Sequence, residues 1–120
     1  MQSPATRAAR GVTAECLAAE HLRRNGLVIV AQNWRTRRGE IDLVARDGTM
    51  LVFVEVRLRT GERFGGAAAS ITSRKKARLI AAASQYLATL PDAPPCRFDA
   101  VLLDSLEPSA IRWLQDVIST

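Results

Sequence analysis

Two short apolar segments of the chain carry charged side chains in an arrangement that could do chemistry. The first, residues 40–46, contains Asp42, and the second, residues 50–59, contains Glu55 and Arg57. Burying a carboxylate in so apolar a segment costs free energy unless a cation or a hydrogen bond compensates its charge. Mg²⁺ is usually held by one or two carboxylates together with waters and substrate phosphates. These residue types therefore predict a divalent-cation site suited to a phosphate ester.

The dipeptide Asp47-Gly48 between the two segments predicts a tight β-hairpin, because Asp-Gly favours the backbone angles of a two-residue turn. With these two as loop residues, Glu40 is expected directly opposite Glu55. Side chains alternate along a strand with a period of two, so one face of the hairpin would carry several charged groups. The expected set is Glu40, Asp42, Glu55 and Arg57, with Glu40 as an accessory acid.

Two alternatives weaken the prediction that these charged groups share one face of the hairpin. The acids could form ordinary ion pairs with neighbouring arginines such as Arg37, Arg38 or Arg57. A three-residue loop would also shift the strand register by one residue and move the side chains to opposite faces. Several acids and a cation on one buried face favour the cation site over simple ion pairing.

The elements that must position these residues are those of one α/β domain. Hydrophobic spacing predicts a helix over residues 12–25 that ends at Asn25-Gly26. The next expectations, in chain order, are a strand over 27–30 continuing to Trp34, a basic turn over 35–39, strands over 40–46 and 50–59, a loop over 61–69, a helix over 72–90 and a strand over 98–104. Residues 110–118 allow no assignment. We expect residues 1–120 to form a single domain with a central mixed β-sheet flanked by α-helices, and residues 1–10 to form a flexible arm.

Composition narrows the class of protein further. The 120 residues carry a formal charge of +5, which favours an acidic partner such as nucleic acid. Cys16 and Cys96 are far apart and only His21 accompanies them, which argues against a disulfide framework or a Cys/His zinc site. Because no apolar run is long enough for a membrane span or a signal peptide, we expect a cytoplasmic protein with no membrane partner.

Basic side chains cluster on both sides of the acidic segments. They would neutralise backbone phosphates without reading base sequence, and the alternative is an ordinary solvated surface. The candidate nucleic-acid-binding residues are Arg35, Arg37, Arg38, Arg59, Lys75 and Lys76.

The two acidic segments resemble a known nuclease signature. Residues 39–44 (GEIDLV) and 52–57 (VFVEVR) resemble the PD-(D/E)XK pattern of restriction-endonuclease-like nucleases. Most of the chain is similar to the YraN-like bacterial family, which is related to archaeal Holliday-junction resolvases. The further matching positions are residues 11–15, 33–39, 64–65 and 97–99, together with Arg59, Lys75 and Leu79.

The resemblance implies a restriction-endonuclease-like core and a metal-dependent endonuclease that acts on DNA, including branched or structured DNA. Carried over to this sequence, it implies that Asp42 and Glu55 bind Mg²⁺ or Mn²⁺. It also implies that Glu15 is an accessory acid that orients a metal-bound water. The two-fold symmetry of the related resolvases suggests a homodimer.

One position departs from the signature. Arg57 stands where the third signature residue is normally lysine. An arginine can bind a phosphate through two hydrogen bonds, but it keeps its proton and cannot act as a general base. The sequence therefore leaves two functions open, an active endonuclease and a nucleic-acid-binding module with a nuclease fold and little or no turnover.

Overall fold

The computed structural model of the protein describes residues 7–58 and 72–118. Side-chain environments are described from residue 12 onward. The elements, in chain order, are helix α1 (Arg7–Arg24), strands β1 (Val28–Arg35), β2 (Glu40–Asp47) and β3 (Met50–Leu58), helix α2 (Ser73–Ala88), strand β4 (Cys96–Leu103), a short 3₁₀ helix (Pro108–Ala110) and strand β5 (Ile111–Leu114). Arg59 and the predicted loop over 61–69 lie outside the described residues.

The five strands form one mixed sheet in the order β1-β2-β3-β4-β5. Strands β1, β2 and β3 are antiparallel neighbours, and β4 pairs with β3 in parallel. A parallel pair requires a crossover connection, and α2 lies between β3 and β4 in the chain. The mixed α/β core predicted from the sequence is confirmed. Within the described residues, neither helix is long and apolar enough to cross a membrane.

Helix α1 covers one face of the sheet. Its apolar stripe of Ala14, Ala18 and Leu22 packs against β2, β3 and β4 side chains that include Leu43 and Val54. The helix ends as the sequence predicts, because Gly26 has a φ of 89° and such an angle suits a residue without a Cβ.

Helix α2 covers the other face. Its buried residues Leu79 and Ala83 pack against Ile41 and Phe53. Thr72 caps the helix, and its Oγ1 accepts a hydrogen bond from the Lys75 amide at 3.2 Å, as expected of a threonine at this position. The predicted helix is therefore confirmed, although it ends at Ala88, before the predicted Leu90.

The hairpin between β2 and β3 has a different register from the predicted one. Asp47 pairs with Met50, so the loop residues are Gly48 and Thr49. Gly48 has a φ of 61° and Thr49 is not among the positive-φ residues, which matches a two-residue turn with glycine at its first central position. The expected pairing of Glu40 with Glu55 is therefore wrong. Each residue of β2 pairs with a residue of β3 two positions away from its predicted partner. Because side chains alternate with a period of two, this shift of register by itself moves no side chain to the other face.

The segment left unassigned by the sequence contains a strand, β5, held by a buried carboxylate on β4. Asp99 is fully buried and accepts hydrogen bonds from Arg97 Nε at 3.1 Å, Trp113 Nε1 at 2.9 Å and the Asp116 amide at 2.9 Å. A buried carboxylate with this many donors is well compensated. These contacts tie β5 and the chain beyond it to the sheet.

Candidate active site

The side-chain alternation of the sheet breaks at one position on two neighbouring strands. Strand pairing passes from Gln32–Leu43 to Trp34–Ile41, which places Asn33 across from Asp42. Leu43 packs on the α1 side, whereas Ile41, only two residues away, packs on the α2 side. Ile41 therefore faces α2, whereas an unbroken alternation along β2 would place it on the same face as Leu43 and Ala45. The irregularity opens the sheet at Asp42.

Asp42 fills the gap where β2 and β3 separate. The described pairing of these strands ends at Leu43–Val54, and the Asp42 carboxylate accepts a hydrogen bond from the Val56 amide at 2.8 Å. The side chain thus replaces a backbone carbonyl as the partner of β3. The two-residue shift of the hairpin register also means that Phe53 pairs with Val44 and not with Asp42. Asp42 instead lies beside the Glu55 carboxyl group, close enough for the charge of Glu55 to act on it.

Two cations act on Glu55. Arg57 lies two residues further along β3, and its Nη1 is 3.5 Å from Glu55 Oε1 in an ion pair whose side chains are 20% and 12% exposed. Lys75, in the first turn of α2, is the second cation that acts on the charge of Glu55. It precedes the buried Leu79 by four residues, so it lies on the sheet-facing side of the helix. The structure therefore brings a basic residue of α2 to the acidic site.

Glu15 reaches the same site from α1. It lies on the sheet-facing stripe, three and four residues before the buried Ala18 and Ala19. Its Oε2 accepts a hydrogen bond from Asn33 Nδ2 at 3.0 Å, and its carboxyl group is close enough to Asp42 for the charge of Asp42 to act on it. The structure therefore brings Glu15, Asp42 and Glu55 together from α1, β2 and β3.

When all three carboxyl groups are ionised, the positive charge around them does not compensate their negative charge. Burial, together with the neighbouring Asp42, raises the pKa of Glu15 to about 7. Burial and the charge of Glu55 raise the pKa of Asp42 to about 7. Burial also raises the pKa of Glu55, although Arg57 opposes the shift. Such shifts are typical of groups that a bound cation or a shared proton must compensate.

The remaining predicted residues lie around this centre. Glu40 is exposed and pairs with Arg35 across β1 and β2, with 3.4 Å between its Oε2 and Arg35 Nε. It contributes negative charge to the site but does not touch Glu55 in the predicted manner. Arg37 and Arg38 are exposed in the turn after β1, and Lys76 is half-buried at the start of α2.

Asn33 is the site residue that the sequence did not reveal. It has a φ of 51°, a left-handed angle that asparagine tolerates better than most residues. The residue type alone gives no signal, because asparagine is also common in ordinary turns.

The donor set fits Mg²⁺ of the usual, partly hydrated kind. Among the residues that the structure describes, no three His, Cys, Asp or Glu side chains are arranged as a ready-made metal site. Asp42 and Glu55, as adjacent carboxylates, supply the one or two protein ligands that Mg²⁺ ordinarily takes, with waters and substrate phosphate completing its shell. The compensation that the buried carboxyl groups require is what such an ion provides.

Comparison with known proteins identifies the family of the chain. The sequence model of the uncharacterised protein family UPF0102 matches residues 14–103, which includes all three carboxyl groups. A UPF0102 protein of Cupriavidus taiwanensis is 59% identical over 112 residues, covering 92% of this chain and 82% of the relative. Another, from Methylobacillus flagellatus, is 50% identical over 109 residues, covering 91% and 96%. The chain therefore belongs to the UPF0102 family, as the resemblance to the YraN-like proteins indicated.

Proposed function

We propose that the protein is a metal-dependent endonuclease of the PD-(D/E)XK type that acts on DNA. The observation that carries the proposal is the cluster of Glu15, Asp42 and Glu55, three neighbouring carboxyl groups drawn from α1, β2 and β3 whose charges act on one another. Two cations, Arg57 and Lys75, accompany it. Structural acids are normally compensated by their protein partners, whereas burial keeps the pKa values of these acids raised, which favours a bound cation as their partner.

Each residue has a defined part in this proposal. Asp42 and Glu55 would hold Mg²⁺ or Mn²⁺, which when bound lowers the pKa of water and stabilises charge on a phosphate. Arg57 binds the scissile phosphate and stabilises the charge that grows on it. Glu15 accepts a hydrogen bond from the attacking water and orients it. Lys75 adds positive charge at the same side of the sheet.

The basic residues around the site support a nucleic-acid partner. Arg37 and Arg38 are exposed beside β2, and Lys76 accompanies Lys75 at the start of α2. They would bind phosphates on either side of the scissile bond without contacting base edges. The resemblance favours branched DNA as substrate and a homodimer, and we also propose a cytoplasmic location. Sedimentation of the purified protein would measure its oligomeric state.

The test is a cleavage assay on labelled duplex, single-stranded and four-way-junction DNA, with Mg²⁺ and with Mn²⁺. We expect metal-dependent cutting by the wild type and a loss of at least about 100-fold in Glu55→Gln, because one metal ligand is neutralised. Glu20→Gln is the matched control, since Glu20 is an exposed acid of α1 that pairs with Arg24. Equal cutting by Glu55→Gln and wild type would refute the proposal.

A second function is supported by Arg57 itself. Its ion pair with Glu55 places a permanent cation where proton transfer would otherwise be possible. A protein with this arrangement could bind nucleic acid and metal but cut slowly or not at all. Metal-dependent DNA binding by the wild type without cleavage, and cleavage by Arg57→Lys, would establish this function instead.

A further inference from the structure

We propose that Asn33 is a positioning residue that holds the Glu15 carboxyl group towards Asp42. This inference deepens the proposed function and rests on it. The contact that carries the proposal is the hydrogen bond of 3.0 Å from Asn33 Nδ2 to Glu15 Oε2, which joins β1 to α1 across 18 residues of sequence.

The backbone at Asn33 is unusual in a way that serves this contact. A φ of 51° in a strand is sterically unfavourable for a residue with a Cβ. The flanking residues Gln32 and Trp34 remain paired with β2, and β1 has a separate register shift between Ile29 and Ala31. Left-handed residues of this kind persist when the surrounding structure holds them, and they concentrate at functional sites.

The location of the distortion connects it with the acidic site. Asn33 lies across from Asp42, the position where β2 leaves its regular pairing with β3. The same irregularity therefore opens the strands around Asp42 and directs the Asn33 amide to Glu15. One structural feature brings the carboxyl groups of α1 and β2 together.

The chemistry of an amide suits this task. The Nδ2 group only donates, so it fixes one oxygen of Glu15 and leaves Oε1 outside this hydrogen bond. A carboxyl group held in this way keeps one orientation relative to Asp42. Asn33 is neutral, so it orients Glu15 without adding the charge of a further ion pair.

The test compares Asn33→Gly with Asn33→Asp in the cleavage assay. Glycine tolerates the left-handed angle and removes the amide, whereas aspartate keeps the shape and replaces the donor with an acceptor. We expect both to lower kcat by about 10- to 100-fold, the usual effect of losing a residue that orients a ligand, with KM for DNA unchanged. Gln32→Gly, at the exposed neighbouring position of β1, measures the general cost of a glycine in this strand.

A double-variant experiment separates positioning from structural support. If Asn33 acts through Glu15, Asn33→Gly has no further effect on kcat in a Glu15→Ala background. If Asn33→Gly lowers kcat in the Glu15→Ala background by the same factor as in the wild type, the proposal is overturned. A Gln32→Gly variant that is as slow as Asn33→Gly would overturn it too.

A second measurement does not depend on cleavage. In the NMR spectrum of ¹⁵N-labelled protein, we expect the side-chain amide signal of Asn33 to shift in Glu15→Ala and to stay unchanged in Glu20→Ala. If the wild type cuts no substrate, the proposed function fails, and the Asn33 assignment is then decided by this signal. An Asn33 signal that does not respond to Glu15→Ala would refute it.

Discussion

Arg57 limits the proton chemistry available at the site. Its guanidinium group forms an ion pair with Glu55 and keeps its proton, so it stabilises negative charge but accepts no proton from water. A lysine at the same position could do both when desolvated beside a metal ion. The residue that departs from the nuclease signature is thus the residue on which the reaction rate should depend.

We expect Arg57→Lys to increase the rate of metal-dependent cleavage by at least about tenfold, a modest share of what acid–base assistance usually contributes. The rate is measured under single-turnover conditions with saturating DNA. Arg112→Lys, which changes an exposed arginine paired with Asp104, is the matched control. A slower Arg57→Lys enzyme would show that bidentate phosphate binding by arginine matters more than a titratable amine.

The raised pKa values also predict how stability depends on pH. A carboxyl group whose pKa is higher in the folded state than in the unfolded state binds more protons when folded, so stability falls as pH rises between the two values. For Glu15 and Asp42 this interval runs from their ordinary values, 4.5 and 3.8, to about 7. In EDTA, we expect the protein to be less stable at pH 8 than at pH 5, and Mg²⁺ to restore part of the difference at pH 8.

Asp42→Asn provides the matched variant for this experiment. The asparagine oxygen can still accept the hydrogen bond from the Val56 amide, but the buried negative charge is removed. The metal-free variant should therefore unfold several degrees higher than the wild type at pH 8 and show little response to Mg²⁺. Thermal unfolding followed by circular dichroism measures both. A lower unfolding temperature for the variant would contradict the assignment of Asp42 as an uncompensated carboxylate.

The sequence predicts some site residues better than others, for physical reasons. Asp42 and Glu55 are recognisable because charged residues in an apolar strand are costly. Glu15 lies on the apolar stripe of α1, but one acid on a helix is ordinarily exposed, and only the family resemblance distinguishes it. Asn33 acts through a backbone angle and a contact with a distant helix, neither of which its residue type encodes.

At the level of elements, α2 covers one face of the sheet and also brings a basic residue to the site. Leu79 anchors the helix over Ile41 and Phe53, and this packing directs Lys75, one turn earlier, towards the end of β3 that carries Glu55. The first turn of α2 contains no acidic residue. The helix start therefore adds positive charge to the site through Lys75, and the dipole of α2 has the same sign at this end.

Lys75→Met should therefore affect the reaction step, because methionine keeps the length of the side chain and removes its charge. We expect the cleavage rate at saturating DNA to fall by about tenfold or more, in keeping with the removal of one charge-stabilising group. Lys76→Met is the comparison at the next position of the helix and should mainly weaken DNA binding. Equal loss of affinity in both variants, with unchanged rates, would place Lys75 among general phosphate contacts.

The order of the elements was predictable, whereas the hairpin register was not. Helix and strand periodicities are local, and they located α1, α2 and strands β1 to β4 to within a few residues. Two turns compete at the hairpin, Asp47-Gly48 and Gly48-Thr49, and both suit a two-residue loop. Packing of complete strands decides between them. The same holds for β5, a four-residue strand that depends on the contact of Trp113 with buried Asp99.

At the scale of the whole molecule, one side combines basic residues from two separate segments. Gly39 is buried against α2 so closely that a Cβ at this position would overlap the carbonyl group of Arg78. The turn over residues 36–39 and the start of α2 therefore lie together. Their exposed basic residues are Arg37, Arg38, Arg74 and Arg78. A duplex lying on this surface would reach the carboxyl groups with its phosphates already partly neutralised.

Salt dependence tests whether this surface binds phosphates. For duplex DNA, the slope of log K against log[salt] should become smaller by about 0.9 for each phosphate that a variant no longer neutralises. We therefore expect the double variant Arg37→Ala/Arg38→Ala to bind more weakly, with a slope smaller by about 2, in fluorescence anisotropy titrations at several salt concentrations. The control, Arg23→Ala/Arg24→Ala, removes two exposed arginines from the last turn of α1, more than two helical turns beyond Glu15. If both variants reduce the slope equally, DNA associates with the positive charge of the protein as a whole. The surface formed by the turn and α2 then does not position DNA at the carboxyl groups.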